Sequence, residues 1–231
     1  MRPSTLTIRQ PVLQMLDYAG ADWDSIHRTS SREWLTSYDG ALGEALNLRL
    51  AGLVRHAPLL ELGCGTSELA VKLYDNGWTN VTAVDVSSHA VAQAQRAWSG
   101  PGIRPGLRFE KANAKALSFS DGSVAAVLDK GTLDAMCCGD GFDYEAQCVS
   151  SEVTRVLSPG GRWICVSLMA PEVLLPIWQR NRPEWAFVRS DRLPGGLHLY
   201  YGRTKRRFTS VWHWHPIEGG WLSRSCGAPL M

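Results

Sequence analysis

The stretch that decides the fold is Leu59-Leu-Glu-Leu-Gly-Cys-Gly-Thr-Ser-Glu-Leu-Ala70, in which a short apolar run is followed by two glycines and a polar triplet. The apolar run predicts a buried strand, and the triplet Thr66-Ser-Glu68 predicts the first turn of a helix. Gly63 and Gly65 allow the backbone to turn sharply and to approach a ligand closely. A strand, a glycine-rich turn and a helix in this order are typical of a nucleotide-cofactor loop.

The residues around the glycines narrow the class of ligand. A dinucleotide fingerprint needs a third glycine three positions after Gly65, where this chain has Glu68. A carboxylate there suits the helix dipole but would repel a pyrophosphate bound to the same N–H groups. S-adenosylmethionine has no phosphate, and its ammonium and sulfonium groups would tolerate or favour acidic neighbours such as Glu61. The loop therefore predicts this methyl donor, bound beside Glu61, Gly63 and Gly65, rather than NAD or FAD.

A second predicted strand supplies an acid at the expected distance. Residues 80–86 are rich in β-branched side chains and carry Asp85, about twenty residues after the glycines. One carboxylate can accept hydrogen bonds from both hydroxyls of a ribose, so we expect Asp85 to hold the ribose of the cofactor. The alternative is a solvated Asp85 that caps the next helix together with Ser87 and Ser88.

Two further segments reach the same edge of the predicted sheet. Asn113 and Ala114 follow a predicted strand, and the Asn113 side chain is either an adenine contact or an ordinary loop amide. The apolar run Val124–Asp129 predicts a central strand that leads into Lys130-Gly-Thr-Leu-Asp134. In open α/β sheets, ligands bind beyond the carboxyl ends of the strands. We therefore expect these segments to line the cofactor site.

The remaining pattern predicts an α/β domain with a seven-stranded sheet. The predicted strands cover residues 59–62, 80–86, 107–110, 124–129, 162–168, 185–189 and 197–201. The predicted helices cover residues 41–54, 69–76, 90–98, 144–157 and 171–180. We expect an N-terminal helical lid segment over residues 1–56, a core over residues 57–202 and a peripheral tail over residues 203–231. Trp23 and Trp34, in the first segment, either form a lid over the strand ends or anchor a helix in the core.

Length and composition bound the class of protein. A chain of 231 residues with 45% hydrophobic content is long enough for one α/β domain with a full core. The net charge of +2 predicts no strong attraction to nucleic acid or to an anionic membrane. There is no apolar run of membrane-spanning length and no secretory signal. We expect a cytoplasmic monomer, while the acid-free first sixteen residues with Arg2 and Arg9 leave a mitochondrial presequence as the alternative.

The cysteines and histidines do not predict a metal site. None of the cysteines forms a Cys-x-x-Cys pair, and no histidine lies at ligand spacing from them. They are expected to be reduced thiols at positions 64, 137, 138, 148, 165 and 226. His213 and His215 in the tail form a His-x-His pair, for which a surface extension is favoured over a metal site.

The motifs taken together resemble a known family. The glycine loop, Asp85, Asp129-Lys-Gly-Thr-Leu-Asp-Ala135 and Val156-Leu-Ser-Pro-Gly-Gly161 are similar to those of seven-β-strand S-adenosylmethionine-dependent methyltransferases. Within that class the chain resembles the eukaryotic lysine methyltransferases that act on translation elongation factor 1-alpha and the related mitochondrial citrate synthase lysine methyltransferase. The resemblance covers residues 18–201, and its most specific part is Lys130–Ala135.

The resemblance implies a Rossmann-like fold with a mostly parallel sheet, S-adenosylmethionine as cofactor, and a protein substrate that presents a lysine. It implies that one set of residues surrounds the cofactor, at the positions of Trp23, Trp34, Gly63, Asp85, Val86, Asn113, Ala114 and Lys130. Two of the matching positions depart from the family, because His27 replaces a usual tyrosine and Asn113 replaces a usual aspartate. Both side chains retain hydrogen-bonding groups, so we expect them to contact the cofactor as well.

A lysine substrate must lose its proton before it attacks the methyl group, because its amine is protonated at neutral pH. Asp129 and Asp134 are candidate catalytic residues that would steer this ammonium, and Trp34 and Tyr38 would wall its channel. An Asn/Asp-Pro-Pro-Tyr signature, which many amide and adenine methyltransferases carry, is absent. Two alternatives stay open: a small-molecule methyltransferase of the same fold, and a non-catalytic binding subunit.

Overall fold

A computed structural model of the chain describes residues 21–30, 33–98, 103–136, 142–180, 185–205, 211–217 and 220–226. The presequence-like N-terminal residues, Cys137 and Cys138 lie outside these ranges. The helices are α1 Trp23–Thr29, α2 Ala41–Leu50, α3 Leu69–Asp75, α4 Ser88–Trp98, α5 Thr132–Met136, α6 Phe142–Val156 and α7 Pro171–Arg180. The strands are β1 Leu59–Leu62, β2 Val81–Asp85, β3 Leu107–Lys111, β4 Val124–Lys130, β5 Leu157–Ser167, β6 Trp185–Arg192, β7 His198–Thr204, β8 Val211–Ile217 and β9 Gly220–Cys226.

The first seven strands form one sheet in the order β3-β2-β1-β4-β5-β7-β6. All neighbours are parallel except β7, which runs antiparallel to both β5 and β6. The predicted α/β fold with a mostly parallel seven-stranded sheet is therefore confirmed. The strand order reverses between β1 and β4, and this topological switch point is where an open α/β sheet leaves a crevice for a ligand.

Helices cover both faces of the sheet, which explains the apolar composition of the central strands. All residues of β1 and β2 are buried. Because strand side chains alternate, Leu59 faces the core under α2, α3 and α4, whereas Leu60 and Leu62 face the core under α6 and α7. Each face thus has its own hydrophobic cluster, and the sheet between them holds the strand ends rigidly in place.

Two local predictions differ from the structure. The helix predicted to extend to Val54 ends at Leu50. Gly52, two residues later, has a positive φ of 83°. β5 begins at Leu157, directly after α6, rather than at Arg162. The pairing of β5 with β4 is irregular near its start, because Val124 pairs with Leu157 and Ala126 pairs with Arg162. The tail contains the antiparallel pair β8 and β9, which forms a separate two-stranded sheet.

A stack of three indole rings joins α7 to β5 and β6. The ring centroids of Trp163 and Trp178 lie 3.9 Å apart with planes 8° from parallel, and Trp185 lies 5.7 Å from Trp178. All three side chains are buried.

None of the helices in the described ranges combines the length and the apolar character that crossing a bilayer requires.

We predict that Trp178→Ala lowers the free energy of unfolding by about 3–5 kcal/mol, because it removes a buried indole from this stack and leaves a cavity. Urea unfolding followed by circular dichroism measures the change. Tyr144→Ala is the matched control, since that ring is 72% exposed on α6, and we expect it to change stability by less than about 0.5 kcal/mol. Equal losses in the two variants would contradict the structural role of the stack.

Candidate cofactor site

A cavity of about 420 Å³ lies at the carboxyl ends of β1, β2 and β4. The loops after these strands form its floor, and side chains from residues 21–30 and 33–38 line it from above. The cavity brings together all of the predicted cofactor residues except Glu61. Those on its wall are Trp23, His27, Trp34, Gly63, Gly65, Asp85, Val86, Asn113, Ala114 and Lys130.

The glycine loop adopts at two positions a backbone conformation that strongly favours glycine. Gly63 and Gly65 have φ values of 57° and 50°, in the left-handed region. A Cβ atom at Gly63 would lie 2.2 Å from the Thr132 hydroxyl oxygen, and one at Gly65 would lie 3.0 Å from Cε1 of His27. The Thr132 hydroxyl donates to the carbonyl oxygen of Leu62 at 2.9 Å. The absence of side chains at both glycines therefore lets β1, α5 and α1 meet around the cavity.

Asp85 joins the glycine loop to the end of β2. One carboxylate oxygen accepts from the N–H of Gly65 at 2.7 Å, and the other accepts from the N–H of Ser87 at 2.7 Å. Asp85 is buried, so the alternative of a solvated aspartate does not hold. The Ser87 hydroxyl caps α4 instead, accepting from the N–H of Ala90 at 3.1 Å. Each Asp85 oxygen keeps a second lone pair, which suits it to a pair of adjacent ribose hydroxyls.

Residues 21–30 and 33–38 form a strap across the cavity, and Asp24 fixes one end of it. A carboxylate oxygen of Asp24 accepts from the Ser87 hydroxyl at 2.6 Å and from the N–H of His89 at 3.0 Å. The strap also places Trp23 and Trp34 on the cavity wall, with ring centroids 6.2 Å apart in an edge-to-face arrangement. The structure therefore favours a lid role for both rings over a role as core anchors.

Lys130 fixes the other end of the strap. Its ammonium donates to a carboxylate oxygen of Glu33 at 2.5 Å and to the carbonyl oxygen of Trp34 at 2.7 Å. The second carboxylate oxygen of Glu33 accepts from the N–H of Glu68 at 3.3 Å. Leu35, two residues after Glu33, has a φ of 61°, a conformation that costs a non-glycine residue about 1 kcal/mol. Glu33 was not among the predicted site residues, although it directly precedes Trp34, a predicted lid residue.

His27 faces the loop from α1. Its side chain is buried, and the loss of solvent lowers its pKa, while the negative charge of Asp85 opposes this shift. The imidazole is therefore neutral at neutral pH and offers one donor and one acceptor to the cavity. These are the hydrogen-bonding groups expected of a residue at this position in place of tyrosine.

Glu61 does not reach the cavity wall, which corrects its expected contact with the cofactor. Its carboxyl group lies behind the glycine loop, accepts from the N–H of Ala70 and has one oxygen without a hydrogen-bond partner in the structure. Burial raises its pKa to about 8, and the nearby Lys130 opposes this shift. A strand that is buried on both faces leaves this side chain no route to the ligand.

Asp129 and Asp134 also lie off the cavity wall, which corrects their proposed contact with a substrate ammonium. Successive strand side chains point to opposite faces, so Asp129 turns away where Lys130 turns toward the cavity. An Asp129 oxygen accepts from the N–H of Thr132 at 2.9 Å, and an Asp134 oxygen accepts from the N–H of Leu168 at 2.7 Å. Burial raises the pKa of Asp129 to about 7 and that of Asp134 to about 6. Both carboxyls serve to join loops to the ends of β4 and β5.

The opposite end of the cavity lies beside the loops after β2 and β3. Val86 is half exposed, Ala114 is buried, and both line the wall. The Asn113 side-chain oxygen accepts from the N–H of Lys115 at 2.9 Å, which fixes the amide at this end. Lys115 and Glu145 form an ion pair that also lines the wall, and sequence analysis found neither residue. Such a surface can pack against a purine ring while the amide meets its edge.

The wall fits an adenosyl cofactor with a positively charged methionyl end. The two glycines leave space where a side chain would block the ligand, and Asp85 offers acceptors for two hydroxyls. Both lysines on the wall are paired with glutamates, so Asp85 leaves the wall net negative. Within the described ranges, no group of His, Cys, Asp or Glu residues is arranged to hold a metal ion.

Comparisons with known proteins agree with this assignment. Residues 59–161 match a family model described as a methyltransferase domain. The chain is 36% identical to mouse EEF1A lysine methyltransferase 4 over 151 residues, which are 62% of this chain and 58% of that protein. It is 36% identical to the Xenopus laevis eEF1A lysine and N-terminal methyltransferase over 154 residues, 66% of this chain and 22% of that protein. The match thus spans less than two thirds of either relative.

Two solved structures share the fold. A S-adenosylmethionine-dependent methyltransferase from Methanosarcina mazei has a TM-score of 0.54 and 19% identity, over 71% of this chain and 98% of that one. A geranyl diphosphate methyltransferase in complex with SAM has a TM-score of 0.55 and 17% identity, over 72% of this chain and 85% of that one.

We predict that Gly63→Ala weakens S-adenosylmethionine binding at least about tenfold, because the new methyl group would collide with Thr132 in the floor of the cavity. Isothermal titration calorimetry measures the affinity. Gly77→Ala is the matched control, since Gly77 also has a positive φ of 93° but has no neighbouring atom within 4 Å of the added Cβ. It should cost about 1 kcal/mol of stability and leave the affinity unchanged. Wild-type affinity in Gly63→Ala would refute the assignment of the loop.

We also predict that Glu61→Gln becomes stabilising relative to wild type as the pH rises. The pKa of Glu61 is raised from 4.5 to about 8 in the folded protein, so the folded state holds a proton that the unfolded state releases between these values. Stability from this group is therefore present below pH 4.5 and is lost as the pH approaches 8. Urea unfolding should show that the free energy of unfolding of the variant, relative to that of the wild type, is higher at pH 8 than at pH 5 by about 1 kcal/mol or more. The exposed Glu68→Gln serves as the control, and an equal gain there would contradict the burial effect.

Proposed function

We propose that the chain is an S-adenosylmethionine-dependent class I methyltransferase that methylates a lysine side chain of a protein substrate, which the methyltransferase-domain match and the fold support. The observation that carries the lysine assignment is the aromatic strap. Trp23 and Trp34 line the cavity at the end where the glycine loop and Lys130 lie. Aromatic side chains can pack against the four-carbon stem of a lysine and exclude water from its amine. The names of the mouse and frog relatives support the same substrate class.

The residues of the chain bind and orient the reactants in this proposal. When bound, the cofactor supplies a methyl group that its sulfonium already activates, so the protein needs mainly to align the groups and to exclude water. Asp85 would accept from the ribose hydroxyls, and the loop from Gly63 to Gly65 would pass under the methionyl part. The strap, held by Asp24 and Lys130, would keep water out of the cavity.

The substrate amine must arrive without its proton. Asp129 and Asp134 are buried away from the cavity, so they are not available to take that proton. We assign the loss of the proton to desolvation of the amine against Trp34, because burial disfavours the charged form of a lysine. The proton then leaves to solvent before the amine attacks the methyl group.

The proposal also includes a cytoplasmic, monomeric enzyme that acts on neither nucleic acid nor membranes.

The test is transfer of tritiated methyl from S-adenosylmethionine into a cell extract, followed by acid hydrolysis of the protein fraction. We expect label in a protein, recovered as methyl-lysine, and a loss of at least about tenfold in Asp85→Asn, which lacks one carboxylate oxygen of the ribose site. Asp75→Asn is the matched control, because Asp75 forms a surface ion pair with Arg104 far from the cavity wall. It should keep full activity.

Other distributions of label would overturn the lysine assignment. Label confined to small molecules would indicate a small-molecule methyltransferase, and label in a different amino acid would indicate a different protein substrate. Cofactor binding without any transfer would indicate a non-catalytic binding subunit.

A further inference from the structure

Two lysines line the cofactor cavity, and each one is paired with a glutamate. Lys130 pairs with Glu33, and Lys115 pairs with Glu145. The lysines differ in burial, because the side chain of Lys130 is 3% exposed and that of Lys115 is 34% exposed, whereas Glu33 and Glu145 are 31% and 33% exposed. Solvent and salt screen the second pair but not the ammonium of the first. The charge of Lys130 therefore acts on the cavity almost unscreened unless Glu33 cancels it.

The net charge of the wall matters because donor and product differ by one charge. S-adenosylmethionine carries an ammonium, a sulfonium and a carboxylate, so its net charge is positive, whereas S-adenosylhomocysteine has lost the sulfonium charge and is neutral. With both ion pairs formed and His27 neutral, the wall retains the negative charge of Asp85. A cavity of this charge attracts the donor more strongly than the product. If Lys130 lost its partner, the wall would become neutral at the buried end.

We propose that Glu33 is a specificity-determining residue, which cancels the buried charge of Lys130 and so makes the cavity prefer the cationic methyl donor to the neutral product. The inference deepens the proposed function and rests on its cofactor. It assigns a role to a strap residue that does not itself line the cavity.

The surroundings of Glu33 hold its carboxylate in place for this role. One oxygen binds the Lys130 ammonium at 2.5 Å, and the other accepts from the N–H of Glu68 at 3.3 Å. The Lys130 ammonium is also fixed by the carbonyl oxygen of Trp34 at 2.7 Å. No other carboxylate within the described ranges forms an ion pair with Lys130. Glu61 is buried nearby, and the loss of solvent raises its pKa and so favours its neutral form.

The test compares the affinities of Glu33→Gln for S-adenosylmethionine and S-adenosylhomocysteine by isothermal titration calorimetry. The glutamine keeps the size and hydrogen bonding of the side chain but removes its charge. We expect the affinity for S-adenosylmethionine to fall about tenfold and that for S-adenosylhomocysteine to change by less than about twofold, because only the former carries the sulfonium charge. Lys130→Met, which leaves the glutamate charge without its partner, should shift the ratio in the opposite direction. The double variant Glu33→Gln/Lys130→Met should restore the wild-type ratio.

Glu145→Gln is the matched control, since it breaks the other lysine–glutamate pair on the same wall. Its ratio of the two affinities should equal that of the wild type even if both affinities fall, because solvent screens Lys115. Equal losses for both ligands in Glu33→Gln would overturn the inference and leave the proposed function intact. Failure of the wild type to bind either ligand would overturn both. If Glu33→Gln does not fold, as judged by circular dichroism, Lys130→Met still tests the inference, because its ratio of the two affinities should shift in the opposite direction. An unchanged ratio in Lys130→Met would overturn the inference.

Discussion

The hydrogen bonds that Asp85 accepts from the backbone of Gly65 and Ser87 are the contacts on which the cofactor site depends. They join the glycine loop after β1 to the start of α4, across the two strands beside the topological switch point. The loop can take this path because Gly63 and Gly65 adopt left-handed conformations and have no side chains to meet Thr132 and His27. A single carboxylate thus positions the backbone of the floor and at the same time presents lone pairs to a ligand.

The strap shows how a segment outside the central sheet can be fixed over a site. Two acids attach it at opposite ends of the cavity: Asp24 to the start of α4, and Glu33 to Lys130 at the end of β4. Between these contacts, Trp23 and Trp34 supply the apolar surface that excludes water. Ion pairs at a protein surface contribute little stability, but the low exposure of the Lys130 side chain makes its pair with Glu33 more consequential.

The acidic residues near the strand ends have very different roles despite their similar positions in the sequence. Asp85 faces the cavity, whereas Glu61, Asp129 and Asp134 are buried behind it and have raised pKa values. Desolvation is the largest cause of the shift in all three. Their burial removes them from direct contact with a substrate and leaves desolvation by the aromatic strap as the means by which an incoming amine loses its proton.

The sequence by itself determined the strands, the glycine loop and the ribose acid, because these depend on local chemistry. Apolar runs specify buried strands, glycines permit left-handed turns, and the spacing from Gly65 to Asp85 places both at the same edge of the sheet. Only the tertiary structure decided which carboxylates reach the ligand. Asp129 and Lys130 are adjacent in sequence but point to opposite sides of β4, and Glu33 meets Lys130 from a segment 97 positions earlier in the chain. Side-chain direction and contacts between distant segments depend on the packed fold, and the local sequence pattern does not contain them.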